Sequence, residues 1–178
     1  MTEGEPSARG LITLVLGGAR SGKSRYAEWL ITTYPKPWIY VATAEARDEE
    51  MAERIAAHQA RRHAGWQTIE APHNLPDALH AAPSGAAVLI DCLTLWLSNL
   101  MERGTDIETQ ITKLQEALAE KVGTTVIVSN EVGLGIVPDN ALARMFRDLQ
   151  GNLNQRLAAQ ASRVIIMVAG IAVSVKSP

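Results

Sequence analysis

The sequence predicts an α/β fold: a doubly wound, mostly parallel sheet flanked by helices. Two observations carry that prediction. Five short stretches, 11–16 (LITLVL), 38–43 (WIYVAT), 86–91 (AAVLID), 124–130 (TTVIVSN) and 163–169 (RVIIMVA), are almost continuously apolar. Strands covered by helices on both faces read this way. Segments of helical period fill the gaps between them, and that alternation implies right-handed βαβ crossovers. The size agrees: 178 residues, 47% hydrophobic and 20% charged, suffice for one domain with a sizeable core.

Taken in order, strand 11–16 leads into a helix over 22–33, and strand 38–43 into a helix over 47–63. Glu45, Asp48, Glu49, Glu50 and Glu53 sit at the start of that second helix, where negative charge complements the helix dipole. WQTIE (66–70) alternates like a more exposed or edge strand. Helices follow at 74–82, at 93–103 after strand 86–91, and at 106–121. In the last of these Ile107, Ile111, Leu114 and Leu118 form one apolar stripe, and Asp106 is placed to cap it. After strand 124–130, a helix over 139–161 starts at Asp139 as its cap, just past Pro138. Gly151 weakens its middle by about 1 kcal/mol relative to alanine, which allows a bend there. Nothing is assigned to the ending AGIAVSVKSP beyond strand 163–169.

Bulk properties exclude several classes. A net charge of −2 gives no electrostatic basis for nucleic acid or an anionic membrane as main partner. Cys92 is the only cysteine, so there is no intrachain disulfide, in keeping with a reducing, cytoplasmic setting. The start MTEGEPSARG lacks the pattern of a signal peptide; residues 1–10 are expected to form a flexible tail and 11–178 one domain. The longest apolar run, VIIMVAGIAVSV, falls short of the ~20 residues a membrane span needs.

The first chemical motif follows the first strand. GGARSGKS, comprising Gly17, Gly18, Ala19, Arg20, Ser21, Gly22, Lys23 and Ser24, fits G-x-x-x-x-G-K-[ST]. Gly17 and Gly22 permit a backbone that turns successive N–H groups around a phosphate. Lys23 adds positive charge at the β- and γ-phosphates, the Ser24 hydroxyl can join Mg²⁺, and the helix that starts here points its positive end at the same anion. The bland alternative is a glycine-rich turn that happens to hold a lysine, but its place between a buried strand and a helix favours nucleotide binding. The expected fold is therefore of P-loop NTPase type, RecA-like. Asp91, at the end of the third apolar strand, is the candidate second support for Mg²⁺, although an aspartate there could merely cap the next helix. Cys92 rather than glutamate follows it, which argues against a hydrolytic motor.

The second motif lies in EMAERIAAHQARR (50–62). Arg54, His58 and Arg62 fall at i, i+4 and i+8 on one helix face; Arg61 is near, and Met51 and Ile55 lie beside the row and are expected to pack toward the core. Neighbouring cations favour a neutral imidazole with a free lone pair, and the guanidinium groups can clamp phosphates. By itself the row reads more readily as a solvated basic helix end, and His63, His73 and His80 show that histidine alone means little here.

Together LVLGGARSGKSRYAE, YVATAEARDEEMAERIAAHQARR, WQTIE, LIDCLTLWLSNL and SNEVGLGIVPDNALARMFRDLQGNLNQRLA resemble the bifunctional adenosylcobinamide kinase/adenosylcobinamide-phosphate guanylyltransferase family, from about residue 11 to 170. The resemblance implies phosphorylation of adenosylcobinamide by a nucleoside triphosphate, then transfer of GMP from GTP to that phosphate, giving adenosylcobinamide-GDP and pyrophosphate. It implies a guanylylated histidine at His58. It places GTP contacts on Gly17 to Ser24, on Ala42, Thr43 and Ala44, on Gln59, Ala60, Arg61 and Arg62, on Glu70 and on Asp91. It further implies Mg²⁺ with GTP and ATP as substrates, adenosylcobinamide and its phosphate as the other ligands, and a homotrimer. Chemically, a phosphoramidate on imidazole divides one nucleotidyl transfer into two displacements. Glu70 could accept hydrogen bonds from the guanine edge or the ribose, or only end a strand. NEVGLGIVP (130–138) follows a strand and so sits where α/β ligands bind; it reads either as a border of the corrinoid or nucleotide, or as a plain long connection. Two alternatives stand beside this reading: a P-loop small-molecule kinase without nucleotidyl transfer, and a nucleotide-binding regulatory module. The lack of an effector module or charged tail disfavours the second.

Overall fold

The computed structural model of the chain describes residues 10–61 and 64–177, with the side chains of Arg54, His58 and Arg61 outside the description. Seven strands form one sheet: β1 (Ile12–Gly17), β2 (Trp38–Ala42), β3 (Trp66–Glu70), β4 (Ala87–Asp91), β5 (Thr125–Val128), β6 (Arg163–Val168) and β7 (Ile171–Lys176). Their order is β3-β2-β4-β5-β1-β6-β7. All neighbouring pairs are parallel except the last, where β7 runs antiparallel to β6. The helices are α1 (Lys23–Thr32), α2 (Glu49–Arg61), α3 (Leu75–Ala81), α4 (Leu93–Glu102), α5 (Ile107–Glu120) and α6 (Ala141–Gln160).

The apolar runs behave as strands buried on both sides because successive side chains alternate between two cores. Leu14, Val41, Ile90, Ile127 and Val164 join one cluster with residues of α3, α4, α5 and α6. Val15, Tyr40, Leu89, Val128 and Ile165 join the other with Ala27, Leu30 and Ile31 of α1. The second face is completed toward the β3 edge by aromatic contacts, Trp38 against Trp66 at 5.8 Å and Tyr40 against Trp66 at 6.1 Å. β3 forms one edge, as its sequence predicts, but its burial does not strictly alternate: Trp66 and Ile69 are half-buried, and Gln67, Thr68 and Glu70 are exposed. The stripe of α5 is buried at Ile111, Leu114 and Leu118, and Asp106 caps that helix by accepting from the Thr109 N–H.

Two readings change. Asp139 does not cap α6; Asn140 does, its side chain accepting from the Ala143 N–H at 2.7 Å. The helix begins one residue later than Asp139 would require. α6 runs as one span from Ala141 to Gln160 through Gly151. The ending left without assignment forms β7, joined to β6 by a two-residue turn at Ala169 (φ 52°) and Gly170 (φ 82°). Positive φ at both turn positions matches the right-handed twist of a hairpin. The turn is Ala-Gly, so the side-chain signal that usually marks such hairpins is absent from the sequence.

Candidate active site

The phosphate loop is held in place by its neighbours. A Cβ on Gly17 would lie 2.6 Å from the Met167 carbonyl oxygen, and its φ of +150° is one that few other residues adopt. Glycine is therefore required where β1 turns into the loop. Gly170, in the hairpin turn, donates its N–H to the Ser21 carbonyl at 3.0 Å. The strand pair β6–β7 thus braces the loop from behind. Gly18, Ala19 and Arg20 are exposed on the outer rim, Arg20 at φ 55°. Gly22 precedes α1 with φ 95°. Lys23 is buried along the loop, its Nζ donating to the Gly18 carbonyl at 2.5 Å. The Ser21 hydroxyl is buried with no hydrogen-bond partner among the described residues. Buried hydroxyls rarely stay so, and a phosphate oxygen in the loop would satisfy it.

Beside the loop, Ser24 donates to Asp91 Oδ1 at 3.3 Å, and the Tyr40 hydroxyl donates to Asp91 Oδ2 at 2.9 Å. Asp91 does not cap α4, whose N-cap is Cys92 without a side-chain bond. Tyr40 is a site residue that sequence reading passes over, because a tyrosine within an apolar strand looks like core. Its ring is indeed core, and only its hydroxyl reaches the strand end. Among the described residues no group of three or more His, Cys, Asp or Glu side chains converges as a metal site. Mg²⁺ does not need one, since it takes one or two protein oxygens and otherwise keeps water or substrate phosphate. The Ser24 hydroxyl and the Asp91 carboxylate, adjacent at the base of the loop, fit that donor set.

From Ser24 and Asp91 a cavity of about 260 Å³ opens toward α2 and β3. Its walls include Tyr40, Ala42, Ala44, Ala46, Cys92 and Leu95, and Glu70 stands on the β3 side. Met51, Ile55 and Gln59 line it from α2 at i, i+4 and i+8. Met51 and Ile55 therefore face this cavity, and they are half-buried where the sequence placed them toward the core. Apolar walls with a few polar groups suit a heterocyclic ligand.

Thr43 is brought here in a different way. Its hydroxyl donates to the Cys92 carbonyl at 2.7 Å and accepts from the Cys92 N–H at 2.8 Å. The residue is fully buried and ties the end of β2 to the end of β4; its N–H is engaged as well, donating to the Asp91 carbonyl at 3.3 Å. Asn99 continues the bracing by donating to the carbonyls of Thr43 and Pro72, both at 2.9 Å. Arg47 donates to Asn99 at 2.8 Å and pairs with Glu45 and Glu102. Its hydrogen bond to Glu45, more than any other contact, holds that carboxyl below the usual carboxylate range. Burial first, and the Asp91 charge second, push the Cys92 thiol up to about 11. It stays protonated near neutral pH and offers no nucleophile.

Ala60 is exposed on α2. The side chains of His58 and Arg61, and the whole of Arg62, lie outside the described residues. The backbone of position 58 falls in α2 at i+3 from Ile55 and i−1 from Gln59. Glu131 is a further residue at this sheet edge that sequence reasoning left without a role. Its N–H donates to the Gly17 carbonyl at 3.0 Å. No helix among the described residues is long and apolar enough to cross a membrane.

Residues 13–175 match the family model CobU, cobinamide kinase / cobinamide phosphate guanyltransferase. The chain is 45% identical over 166 residues to the bifunctional adenosylcobalamin biosynthesis protein CobP of Pseudomonas aeruginosa, covering 92% of this chain and 96% of that one. It is 44% identical over 185 residues to the bifunctional adenosylcobalamin biosynthesis protein CobU of Salmonella typhimurium, covering 93% of this chain and all of that one. Among solved structures, a KaiC-like protein from Pyrococcus horikoshii superimposes with a TM-score of 0.53 at 18% identity, covering 89% of this chain and 72% of its own. A type III secretion ATPase gives 0.52 at 12% identity, covering 93% and 57%. These two likenesses concern the fold, which is that of the P-loop NTPases. With its phosphate loop, strand-end aspartate and adjoining cavity, and with relatives matched over nearly its full length, the chain belongs to the cobinamide kinase / cobinamide phosphate guanyltransferase family.

Proposed function

We propose that this member of the family carries out both reactions on one phosphate site. In the first, the hydroxyl of adenosylcobinamide attacks the γ-phosphorus of ATP or GTP, and the nucleoside diphosphate leaves. In the second, a ring nitrogen of His58 attacks the α-phosphorus of GTP and pyrophosphate leaves. A phosphate oxygen of adenosylcobinamide phosphate then displaces the histidine to give adenosylcobinamide-GDP. The observation that carries this reading is the continuity of phosphate loop and cavity: Ser24 belongs to both and is hydrogen-bonded to Asp91 in the cavity wall, and Gln59 and Glu70 line the same cavity.

In this arrangement Gly17 to Ser24 wrap the triphosphate, with Lys23 balancing its charge. Ser24 and Asp91 would hold Mg²⁺, which when bound neutralises charge between the β- and γ-phosphates. Ala42, Ala44, Gln59 and Glu70 border the nucleoside, and Glu70 supplies the acceptor for a guanine edge or ribose hydroxyl. Ala60, Arg61 and Arg62 continue the GTP-binding end of α2. His58, one position before the cavity-lining Gln59, is the guanylylated residue. We assign the catalytic unit to residues 11–178, with 1–10 as a flexible tail, in a cytoplasmic homotrimer.

Following the two labels separates the half-reactions. With adenosylcobinamide present, label from the γ-position of ATP or GTP should appear in adenosylcobinamide phosphate. Among the corrinoids, label from the α-position of GTP should appear only in adenosylcobinamide-GDP, passing through the enzyme on the way. Failure of the γ-label to reach the corrinoid would remove the kinase half. An α-label that never leaves GTP would remove the guanylyl half.

A further inference from the structure

We propose that Glu131 takes the proton from the acceptor hydroxyl in the kinase step, so that the acceptor approaches the phosphate loop from the β5 side, opposite the nucleoside cavity. This assignment rests on the kinase reaction proposed above. β5 lies between β4, which ends in Asp91, and β1, which ends in the loop. Val128 is in register with Asp91 on one side and Val15 on the other. The chain then continues along the loop: the Ser129 N–H donates to the Val15 carbonyl and the Glu131 N–H to the Gly17 carbonyl, both at 3.0 Å. Glu131 is thus anchored by its backbone against the first residue of the phosphate loop.

The segment beneath it is unusually well held. The Asn130 N–H donates to Thr94 Oγ1 at 2.9 Å, and the Asn130 carbonyl accepts from Asn154 Nδ2 at 3.0 Å. Ser129 donates to Asn154 Oδ1 at 2.7 Å and accepts from Gln150 Nε2 at 2.9 Å. Ser129 and Gln150 are fully buried. Polar groups so placed favour one arrangement, because breaking it strands them without water. The carboxylate is oriented too, since Oε1 accepts from the Gly133 N–H. Oε2 has no hydrogen-bond partner among the described residues. Asp91, the other carboxylate at the loop, has both oxygens engaged, by Ser24 and Tyr40.

Geometry also selects the side. Attacking and leaving oxygens lie roughly in line across the transferred phosphorus. If the nucleoside occupies the cavity beneath α2, the acceptor comes from the other side, where Glu131 stands. Just beyond it, Leu134 and Ile136 are 86% and 98% exposed, an apolar surface that a large macrocyclic acceptor can cover. In the step, the acceptor oxygen bonds to the γ-phosphorus, the bond from that phosphorus to the β-bridging oxygen breaks with its electron pair leaving on the nucleoside diphosphate, and the hydroxyl proton passes to Glu131.

Glu131→Gln tests the assignment, because glutamine keeps an oxygen for the Gly133 N–H while losing the basic site. Both half-reactions are measured on the full chain, the second with adenosylcobinamide phosphate supplied, so that no acceptor hydroxyl need be deprotonated. The expected result is a kinase kcat lower by about 10²-fold or more, a KM for ATP changed by less than about threefold, and guanylyl transfer within about threefold of wild type. Glu131→Asp, which keeps a carboxylate at a shorter reach, should recover part of the kinase loss. An unchanged kinase rate in Glu131→Gln overturns the proposal, as does a parallel fall of both activities, which would mark Glu131 as support for the loop. Wild-type protein that leaves adenosylcobinamide unphosphorylated overturns the kinase reaction itself, a result distinct from an unaffected variant.

Discussion

At the scale of single residues, the site depends on side chains whose partners are fixed before any ligand arrives. Asp91 has Ser24 and Tyr40 on its two oxygens, and Lys23 is buried along the loop. Removing that lysine should matter for charge more than for fold. Lys23→Ala is expected to raise the Kd for GTP by about ten- to a hundredfold, the worth of one hydrogen bond to a charged group, as read by titration calorimetry. An unchanged affinity would remove the phosphate-loop assignment. Residues of this kind are legible in sequence because their chemistry demands fixed spacing, as G-x-x-x-x-G-K-S does. Tyr40 and Glu131 are not, because each acquires its neighbour only when the parallel sheet brings separate strand ends together. Thr43 shows a third case. The resemblance places a ligand contact there, yet its hydroxyl is consumed by Cys92 in joining β2 to β4, and its N–H and carbonyl by Asp91 and Asn99.

At the scale of elements, periodicity identifies β1 to β6 and all six helices, with ends displaced by one or two residues. β7 escapes it. Ile171, Val173 and Val175 alternate as a strand should, but the turn before them is Ala-Gly and their row is exposed, so nothing in the local pattern separates them from a tail. The consequence is functional as well as architectural, since the same turn donates from Gly170 to Ser21 in the phosphate loop. The start of α6 gives a testable contrast between neighbours. Asn140 accepts from the Ala143 N–H, whereas Asp139 makes no cap. Asn140→Ala should cost about 1 kcal/mol of stability, visible as a lower urea midpoint with unchanged slope, and Asp139→Ala much less. The reverse ranking would return the cap to Asp139. α2 illustrates how one helix serves two roles: its Met51, Ile55 and Gln59 row forms the cavity wall, and position 58 falls on the adjoining row.

At the scale of the whole molecule, the sheet gathers four functional strand ends along one edge: Gly17 on β1, Ala42 on β2, Glu70 on β3 and Asp91 on β4. Ligands bind outside the carboxyl ends of strands in such sheets because the helices' positive ends and the loops meet there. That convergence brings residues scattered over 17–91 together at the strand ends, where we propose that they act as one site. The fold is legible from local pattern and the loop from its fixed spacing, while the histidine row gains meaning only from the family's motifs beside it. Covalent chemistry at α2 distinguishes this enzyme from a plain P-loop kinase. Wild-type protein incubated with GTP and Mg²⁺ should gain the mass of one GMP, bound through an acid-labile bond and localised to His58, and His58→Ala should gain none. Wild-type protein that binds GTP under the same conditions yet shows no adduct, or an adduct that persists in His58→Ala, would contradict it.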